Sequence, residues 1–186
     1  NDIFALKINT TAASNGSVVA INTYKVTGAS ANEYGTDIIK LDGLQEFVIC
    51  GRYVAPGNED IIWFRILENV NIGSGMYRTN GVRNDMAYGM EQIGEYVYIV
   101  GRTASWTVSG TDDAFILEIK KSNMDATGAT RSYHISSVDK LYKAQVTTDQ
   151  NLVVVGDYQS TSPTVSPTRS WLMKVRITPG VAGHLN

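Results

Sequence analysis

The chain has 186 residues, of which 43% are hydrophobic and 18% charged, and its formal net charge is −2 at pH 7. This charge gives no electrostatic reason to expect a nucleic acid as partner, and no apolar run approaches the roughly 18 residues of a membrane-inserting helix. The single cysteine, Cys50, excludes an intrachain disulfide, and we expect it to be a small buried hydrophobic residue in a core strand.

The first element in chain order is an apolar run at residues 2–8 (DIFALKI). A segment around Tyr24 follows, and then a segment in which an acidic residue precedes Tyr34. The fourth element is FVICGRY (47–53), in which four apolar residues lead to a glycine, a charged residue and a tyrosine. Short runs rich in Val, Ile, Phe and Tyr, bounded by turn-forming residues, predict strands rather than helices.

These four elements recur in the same order along the chain, with a period of about 50 to 58 residues. The glycine phrase is repeated at Gly51, Gly101 and Gly156. The apolar run begins at Asp2, Asp60, Asp113 and Arg169. One tyrosine element is repeated at Tyr24, Tyr77 and Tyr133, and the other, after the acidic residues Glu33, Asp85 and Asp139, at Tyr34, Tyr88 and Tyr142. Because the six tyrosines recur with the repeat, we interpret them as scaffold residues.

Four strands per repeat predict an all-β fold, a β-propeller of four-stranded antiparallel blades. The elements predict a partial blade at 1–30, blades at 31–82 and 83–138, a partial blade at 139–178 and a tail at 179–186. About three blades are too few for a ring, since propellers have about 4–8. We therefore expect either a fragment of a longer chain or a ring closed by other subunits. The stretch LVVVG within the last partial blade predicts a strand buried on both faces.

Motifs with catalytic, cofactor-binding or metal-binding chemistry are missing from the sequence. Its two histidines, His134 and His184, cannot form an ordinary zinc site with one cysteine unless carboxylates join them. We interpret Asp2, Asp60 and Asp113 as turn residues that bond their own backbone at the start of a strand. No catalytic residue, cofactor or metal ligand is predicted.

The loops that follow the glycine phrase differ in length, and insertions in repeats often map to the binding face. Trp106 lies in one of the two longer loops, and the Pro-rich segment 161–168 lies in the other. Trp106 is therefore the best single candidate for a contact with a ligand or partner, the alternative being that it packs at a sheet edge. Trp63 and Trp171 lie within predicted strands, where we expect core residues.

The segment DMAYGMEQIGEYVYIVGRT…DDAFILEI (85–119) shows the repeat most clearly. In this order of elements the chain resembles the secreted β-propeller repeats of bacterial surface and exported proteins that are called SBBP-type. The resemblance implies an extracellular or cell-surface location and a protein partner or a glycan as ligand. It carries over no catalytic residues, because the family motif defines only strands and turns.

Two functions from different classes remain. The first is a non-catalytic extracellular or cell-surface module that acts as a binding, adhesion or structural scaffold. The second is a glycan-active hydrolase or lyase built on a propeller, which would need convergent carboxylates, or a Tyr/His/Arg set, near the ring axis. The first is favoured, because the polar residues that depart from the repeat are scattered in the sequence.

Overall fold

The computed structural model describes residues 1–10, 16–26, 31–107, 111–135, 138–159, 168–178 and 183–185, the last three by their backbone alone. These residues form fourteen β-strands and no helix, so the all-β prediction is confirmed. A helix able to cross a membrane is accordingly not found within these ranges.

The strands form four sheets that follow one another along the chain. The first sheet contains β1 (Ile3–Ile8) and β2 (Val18–Tyr24). The second contains β3 (Asn32–Lys40), β4 (Glu46–Ala55), β5 (Asn58–Leu67) and β6 (Tyr77–Arg78). The third contains β7 (Asp85–Ile93), β8 (Tyr96–Thr103), β9 (Asp113–Lys120) and β10 (Ala126–Tyr133). The fourth contains β11 (Val138–Val146), β12 (Leu152–Gln159) and β13 (Thr168–Val175).

Within each sheet, strands that are neighbours in sequence pair antiparallel. The exception is β14 (Gly183–Leu185), which lies in the predicted tail and adds to the third sheet in parallel with β10. The fold is thus a series of antiparallel sheets, each built from one stretch of sequence.

The sheets stack face to face in chain order through three apolar clusters. The first and second sheets share a cluster that includes Ile3, Tyr24, Ile62 and Phe64. The second and third share one that includes Cys50, Ile61, Trp63 and Phe115, and the third and fourth one that includes Ile116, Tyr133, Leu141 and Val154. Adjacent residues such as Ile61 and Ile62 contact different sheets, because successive side chains of a strand point to opposite faces. The second and third sheets are therefore buried on both faces.

The first and fourth sheets are covered on one face only, as far as the described residues show. Phe4 on β1 is 65% exposed and Leu172 on β13 is 75% exposed. Val155 on β12 is also exposed, so the prediction that LVVVG is buried on both faces is wrong. Leu152 and Val154 of this strand face the third sheet, but no described sheet lies on its other side.

A β-bulge interrupts the first strand of the second, third and fourth sheets. The register shifts after Gly35, after Ala87 and after Leu141, so that Thr36, Tyr88 and Tyr142 have no partner in the ladder. Gly51, Gly101 and Gly156 pair with the residues just before these bulges. The repeated glycine phrase is therefore the strand that accompanies a bulged neighbour.

The pairing corrects the alignment of two predicted scaffold tyrosines. Tyr34 pairs with Arg52, so the residue equivalent to Tyr88 and Tyr142 is Thr36. Tyr77 pairs with Trp63, two residues before Thr79, which occupies the position of Tyr24 and Tyr133 in the second sheet. Tyr24 and Tyr133 are buried core residues, as the scaffold interpretation expects.

Candidate functional site

The bulges bring two tyrosines of neighbouring sheets together. Tyr88 and Tyr142 are the bulge residues of β7 and β11, and their ring centroids lie 5.3 Å apart with the planes tilted by 53°. Such tilted pairs are a favourable arrangement of aromatic rings. Tyr142 keeps 40% of its surface exposed, so one ring of the pair faces solvent.

The sulfur of Met86 connects this pair to two arginines. Met86 Sδ lies 3.3 Å from the Tyr88 hydroxyl, 3.3 Å from Arg102 Nε and 3.9 Å from Arg52 Nη1. The Arg52 guanidinium in turn lies over the ring of Tyr34, 4.7 Å from its centroid. We call Tyr34, Arg52, Met86, Tyr88, Arg102 and Tyr142 the tyrosine–arginine cluster.

Carboxylates balance the positive charge of the tyrosine–arginine cluster. Arg102 is ion-paired with Asp112, and Arg52 Nη1 lies 3.6 Å from Glu59 Oε2. The Tyr142 hydroxyl donates a hydrogen bond of 2.8 Å to Asp157 Oδ2. Because each guanidinium has a carboxylate beside it, the surface offers both donors and acceptors rather than a site for a strong anion.

Both tyrosines of the pair keep their hydroxyl protons at neutral pH. Burial raises the pKa of Tyr88 above its ordinary value. Burial, followed by the hydrogen bond to Asp157 and the charge of that carboxylate, raises the pKa of Tyr142 to about 12. The two phenols are therefore hydrogen-bonding groups on an aromatic surface and are poorly suited to act as bases.

Most of these residues could be named separately from the sequence, but the sequence does not predict that they meet in one cluster. The arginines belong to the repeated glycine phrase, and the tyrosines were interpreted as scaffold residues because they recur. The structure shows instead that Tyr34 and Tyr88 are not equivalent, and that Tyr142 is exposed. One sequence feature could have indicated the cluster: an arginine follows both Gly51 and Gly101, and it pairs with the first strand of its sheet at the same place.

Trp106 lies against the third sheet rather than standing free. Its ring meets Phe115 edge to face, with centroids 5.6 Å apart and planes at 81°, and it packs against the cluster between the second and third sheets. The Trp106 backbone N–H donates to Thr103 Oγ1 at 3.1 Å. Trp106 thus packs on the core between the two sheets, and its contact with a ligand or partner stays a prediction. Residues 161–167 lie outside the described part of the chain.

Asp113, His134 and Asp139 form the one cluster in the described ranges whose side chains could hold a metal ion, with ligand atoms within 4.8 Å of one another. His134 Nδ1 lies 2.8 Å from Asp113 Oδ1 and 3.9 Å from Asp139 Oδ2. One imidazole and two carboxylates are a ligand set that zinc accepts. Sequence reasoning missed these carboxylates because 21 residues separate Asp113 from His134.

In the preceding sheets, the carboxylates equivalent to Asp113 and Asp139 make structural hydrogen bonds, which accounts for the acidic residues of the cluster without a metal ion. Asp60 Oδ1 accepts a hydrogen bond of 3.1 Å from the backbone of Gly81, and Glu33 Oε1 one of 3.3 Å from that of Val26. Asp139 Oδ2 likewise accepts one of 2.7 Å from Ile135. These carboxylates hold the segments that follow β2, β6 and β10. Since Asp60 accepts from Gly81 and Asp113 contacts His134, the interpretation that these two residues bond their own backbone at the start of a strand is wrong.

Burial raises the pKa of both Asp60 and Asp113, and the neighbouring Arg78 and His134 act in the opposite direction.

Cys50 is fully buried in the cluster between the second and third sheets, as predicted. Burial raises the pKa of its thiol to about 12, which makes it a packing residue rather than a nucleophile.

Comparison with known proteins gives no match to this chain, either among protein-family models or among curated protein sequences. The residues and their geometry therefore carry the functional argument.

Proposed function

We propose that this chain is a non-catalytic binding scaffold built on a β-propeller, and that it binds a glycan through the tyrosine–arginine cluster. The observation that carries the proposal is the exposed ring of Tyr142, which lies beside Tyr88 and within reach of charged hydrogen-bonding groups. An aromatic face can stack on the C–H face of a sugar ring, and fixed polar groups can orient its hydroxyls. The balanced charge of the surface favours a neutral saccharide.

The propeller part of the proposal is supported by the way the sheets converge. Stacked sheets lie about 10 Å apart, so the second and fourth sheets would be about 20 Å apart if all were parallel slabs. Yet Lys143 Nζ of β11 lies 2.5 Å from Asp37 Oδ2 of β3. The sheets therefore approach one another at the side where their bulged first strands lie, as blades do around an axis.

The position between these two charges is occupied by a glycine. Asp37, Gly89 and Lys143 are the residues that follow the bulge in three successive sheets. Because Gly89 has no side chain, the Lys143 side chain can pass over it, with its Cδ 3.4 Å from where a β-carbon of Gly89 would be. This arrangement breaks the repeat at one place and joins sheets that are not neighbours.

An extracellular or cell-surface location is part of the proposal. It rests on the resemblance to SBBP-type repeats and on a composition in which only 18% of the residues are charged, against an average of about 25%. The alternative, a glycan-active hydrolase or lyase, has less support. Its tyrosine base would need a lowered pKa, whereas the pKa of Tyr142 is raised, and Asp112 and Asp157 are engaged by Arg102 and Tyr142.

A glycan array probed with the purified chain tests the binding function. Wild type should bind a limited set of neutral saccharides, and Tyr142→Ala should weaken this binding by about tenfold, or 1.4 kcal/mol. Phe4→Ala is the control, since it removes an aromatic ring that is even more exposed, at 65%, from the first sheet. An array without bound glycans, or equal loss in both variants, would contradict the proposal; a protein that competes for Tyr142 would instead identify a protein partner.

A further inference from the structure

One edge of β1 in the first sheet is unpaired in the described residues, whereas the equivalent edges in the other sheets are paired. β1 is equivalent to β5, β9 and β13, and we call these four strands third-type strands because each such strand is the third of its sheet in the second, third and fourth sheets. β1 pairs only with β2 in the described residues. The equivalent strand of the second sheet, β5, lies between β4 and β6, and that of the third, β9, lies between β8 and β10. One row of β1 backbone groups is thus available for pairing, which is a general template for an added strand.

A groove runs along this edge. It has a volume of about 550 Å³ and is lined by β1 on one side and by β3, β4 and the end of β5 on the other. Its floor is apolar and includes Ile38, Phe47 and Ile49, and Ile38 is 51% exposed. We call this surface the β1 groove. At the interface between the second and third sheets, the equivalent floor residues Met90 and Ile99 are buried beneath the β3–β4 hairpin, whose Val48 and Cys50 belong to the same cluster.

In three sheets of this chain, a β-hairpin lies beside the third-type strand. In the second, third and fourth sheets it is an antiparallel hairpin whose bulged first strand faces the neighbouring sheet. Its second strand pairs in register along the third-type strand over eight to ten residues, from Glu46 to Ala55 in the second sheet. The β1 groove has the shape of a place from which such a hairpin is missing.

Charge on β1 adds a specific requirement. Lys7 occupies the position of Arg65 in the second sheet and Lys174 in the fourth. Arg65 Nη1 lies 3.3 Å from Glu46 Oε2 of its own hairpin, and Lys174 Nζ lies 2.7 Å from Asp149 Oδ2 of its own. Lys7 has no such hairpin acid among the described residues and instead contacts Glu68, which follows β5, at 3.2 Å; the two side chains are 38% and 50% exposed.

We propose that the β1 groove binds a β-hairpin whose second strand pairs antiparallel with β1 and carries an acidic residue at or just before its start, within reach of Lys7. Main-chain hydrogen bonds to β1 supply affinity, alternate apolar side chains fill the groove, and the acid fixes the register. The inference does not depend on glycan binding, since the groove and the tyrosine–arginine cluster share no residue.

The probe is a synthetic peptide of residues 32–55 that carries Cys50→Ala, that is, the hairpin of the second sheet with its Glu46. Titration of the labelled peptide with the full chain, followed by fluorescence anisotropy, should show saturable 1:1 binding. The Glu46→Lys peptide should bind about threefold more weakly, as expected for a partly exposed ion pair. The Lys7→Glu chain should reverse this preference and bind the Glu46→Lys peptide better than the original.

A scrambled peptide of the same composition is the control for non-specific apolar binding. Hydrogen exchange should slow at β1 amides on binding of the original peptide, and not at those of β13. Equal binding of the scrambled peptide, protection confined to β13, or no reversal by Lys7→Glu would overturn the proposal. It would equally be overturned by a dimer, seen in analytical ultracentrifugation, that Lys7→Glu dissolves and the peptide does not, because a second copy would then occupy the groove.

Discussion

The backbone carbonyl oxygen of Met86 occupies the space in which Gly101 would carry a side chain: a β-carbon on Gly101 would lie 1.9 Å from it. A β-carbon on Gly51 would lie at the same distance from the Tyr34 carbonyl oxygen, and one on Gly156 from the Lys140 carbonyl oxygen. In each case the bulge turns the carbonyl of the first strand toward the second. The glycine phrase that recurs in the sequence is thus a steric requirement of the bulge.

Gly101→Ala should therefore lower the free energy of unfolding by about 3 kcal/mol or more, because neither the Met86 backbone nor the buried Phe115 ring can move away freely. Gly75→Ala is the matched control, since a β-carbon there would contact nothing within 4 Å. Urea denaturation of both variants measures the difference. Similar stabilities for the two variants would show that the bulge does not constrain the glycine.

The Asp37–Lys143 contact predicts a covalent cross-link between the second and fourth sheets. A carbodiimide should join the Asp37 carboxylate and the Lys143 amine in an amide bond, because their atoms lie 2.5 Å apart. Mass spectrometry of a proteolytic digest detects the joined peptides. Lys174 and Asp149, 2.7 Å apart within the fourth sheet, are the positive control, and Lys143→Arg should remove the cross-link. If only the control pair cross-links, the sheets do not converge as described.

Trp106 should have separable effects on stability and on binding. Trp106→Ala should lower the free energy of unfolding by about 2 kcal/mol, because the partly buried ring packs on Phe115, whereas Trp106→Phe should keep most of this packing. Glycan or partner binding is then measured with Trp106→Phe, which stays folded. Weaker binding by this variant would support the predicted ligand contact, and unchanged binding would leave Trp106 with packing alone.

The raised pKa of Tyr142 predicts a loss of stability at alkaline pH. In the unfolded chain a tyrosine ionises near its ordinary pKa of about 10, whereas Tyr142 in the folded chain ionises near 12. Between these values the unfolded state binds fewer protons, so stability falls as pH rises. Tyr142→Phe should lose less stability than wild type between pH 10 and 12, measured by urea denaturation at several pH values. A parallel decline in both proteins would contradict the assignment.

The order and grouping of the strands could be predicted because each strand type has its own composition. The apolar runs, the glycine phrase and the acidic residues Glu33, Asp85 and Asp139 all fall at equivalent places in the pairing. The alignment of Tyr34 with Tyr88 was wrong because a bulge leaves one residue of the strand unpaired, and the amino-acid composition of the strand does not show which residue that is. Exposure of Val155 also escaped prediction, since an apolar strand at the end of a stack has the same sequence as one inside it.

The candidate site was less predictable than the fold. Arg52 and Arg102 stand 50 residues apart in sequence, and only the stacking of two sheets brings both to Met86. The contact of Lys143 with Asp37 also depends on how the sheets come together, whereas that of His134 with Asp113 depends on the pairing of β9 with β10. A repeat shows which positions are equivalent, but not which of them meet across a sheet interface.

Gly89 sets how closely the first strands of the third and fourth sheets approach one another. A β-carbon there would lie 2.6 Å from the Tyr142 carbonyl oxygen and 3.2 Å from the Lys143 α-carbon, so the backbones of β7 and β11 touch at this residue. In a closed ring, the distance between neighbouring inner strands is one chord of the central circle. A glycine makes that chord as short as two backbones allow, and for a given number of blades a shorter chord means a narrower central circle. A larger residue at position 89 would lengthen it and widen the ring.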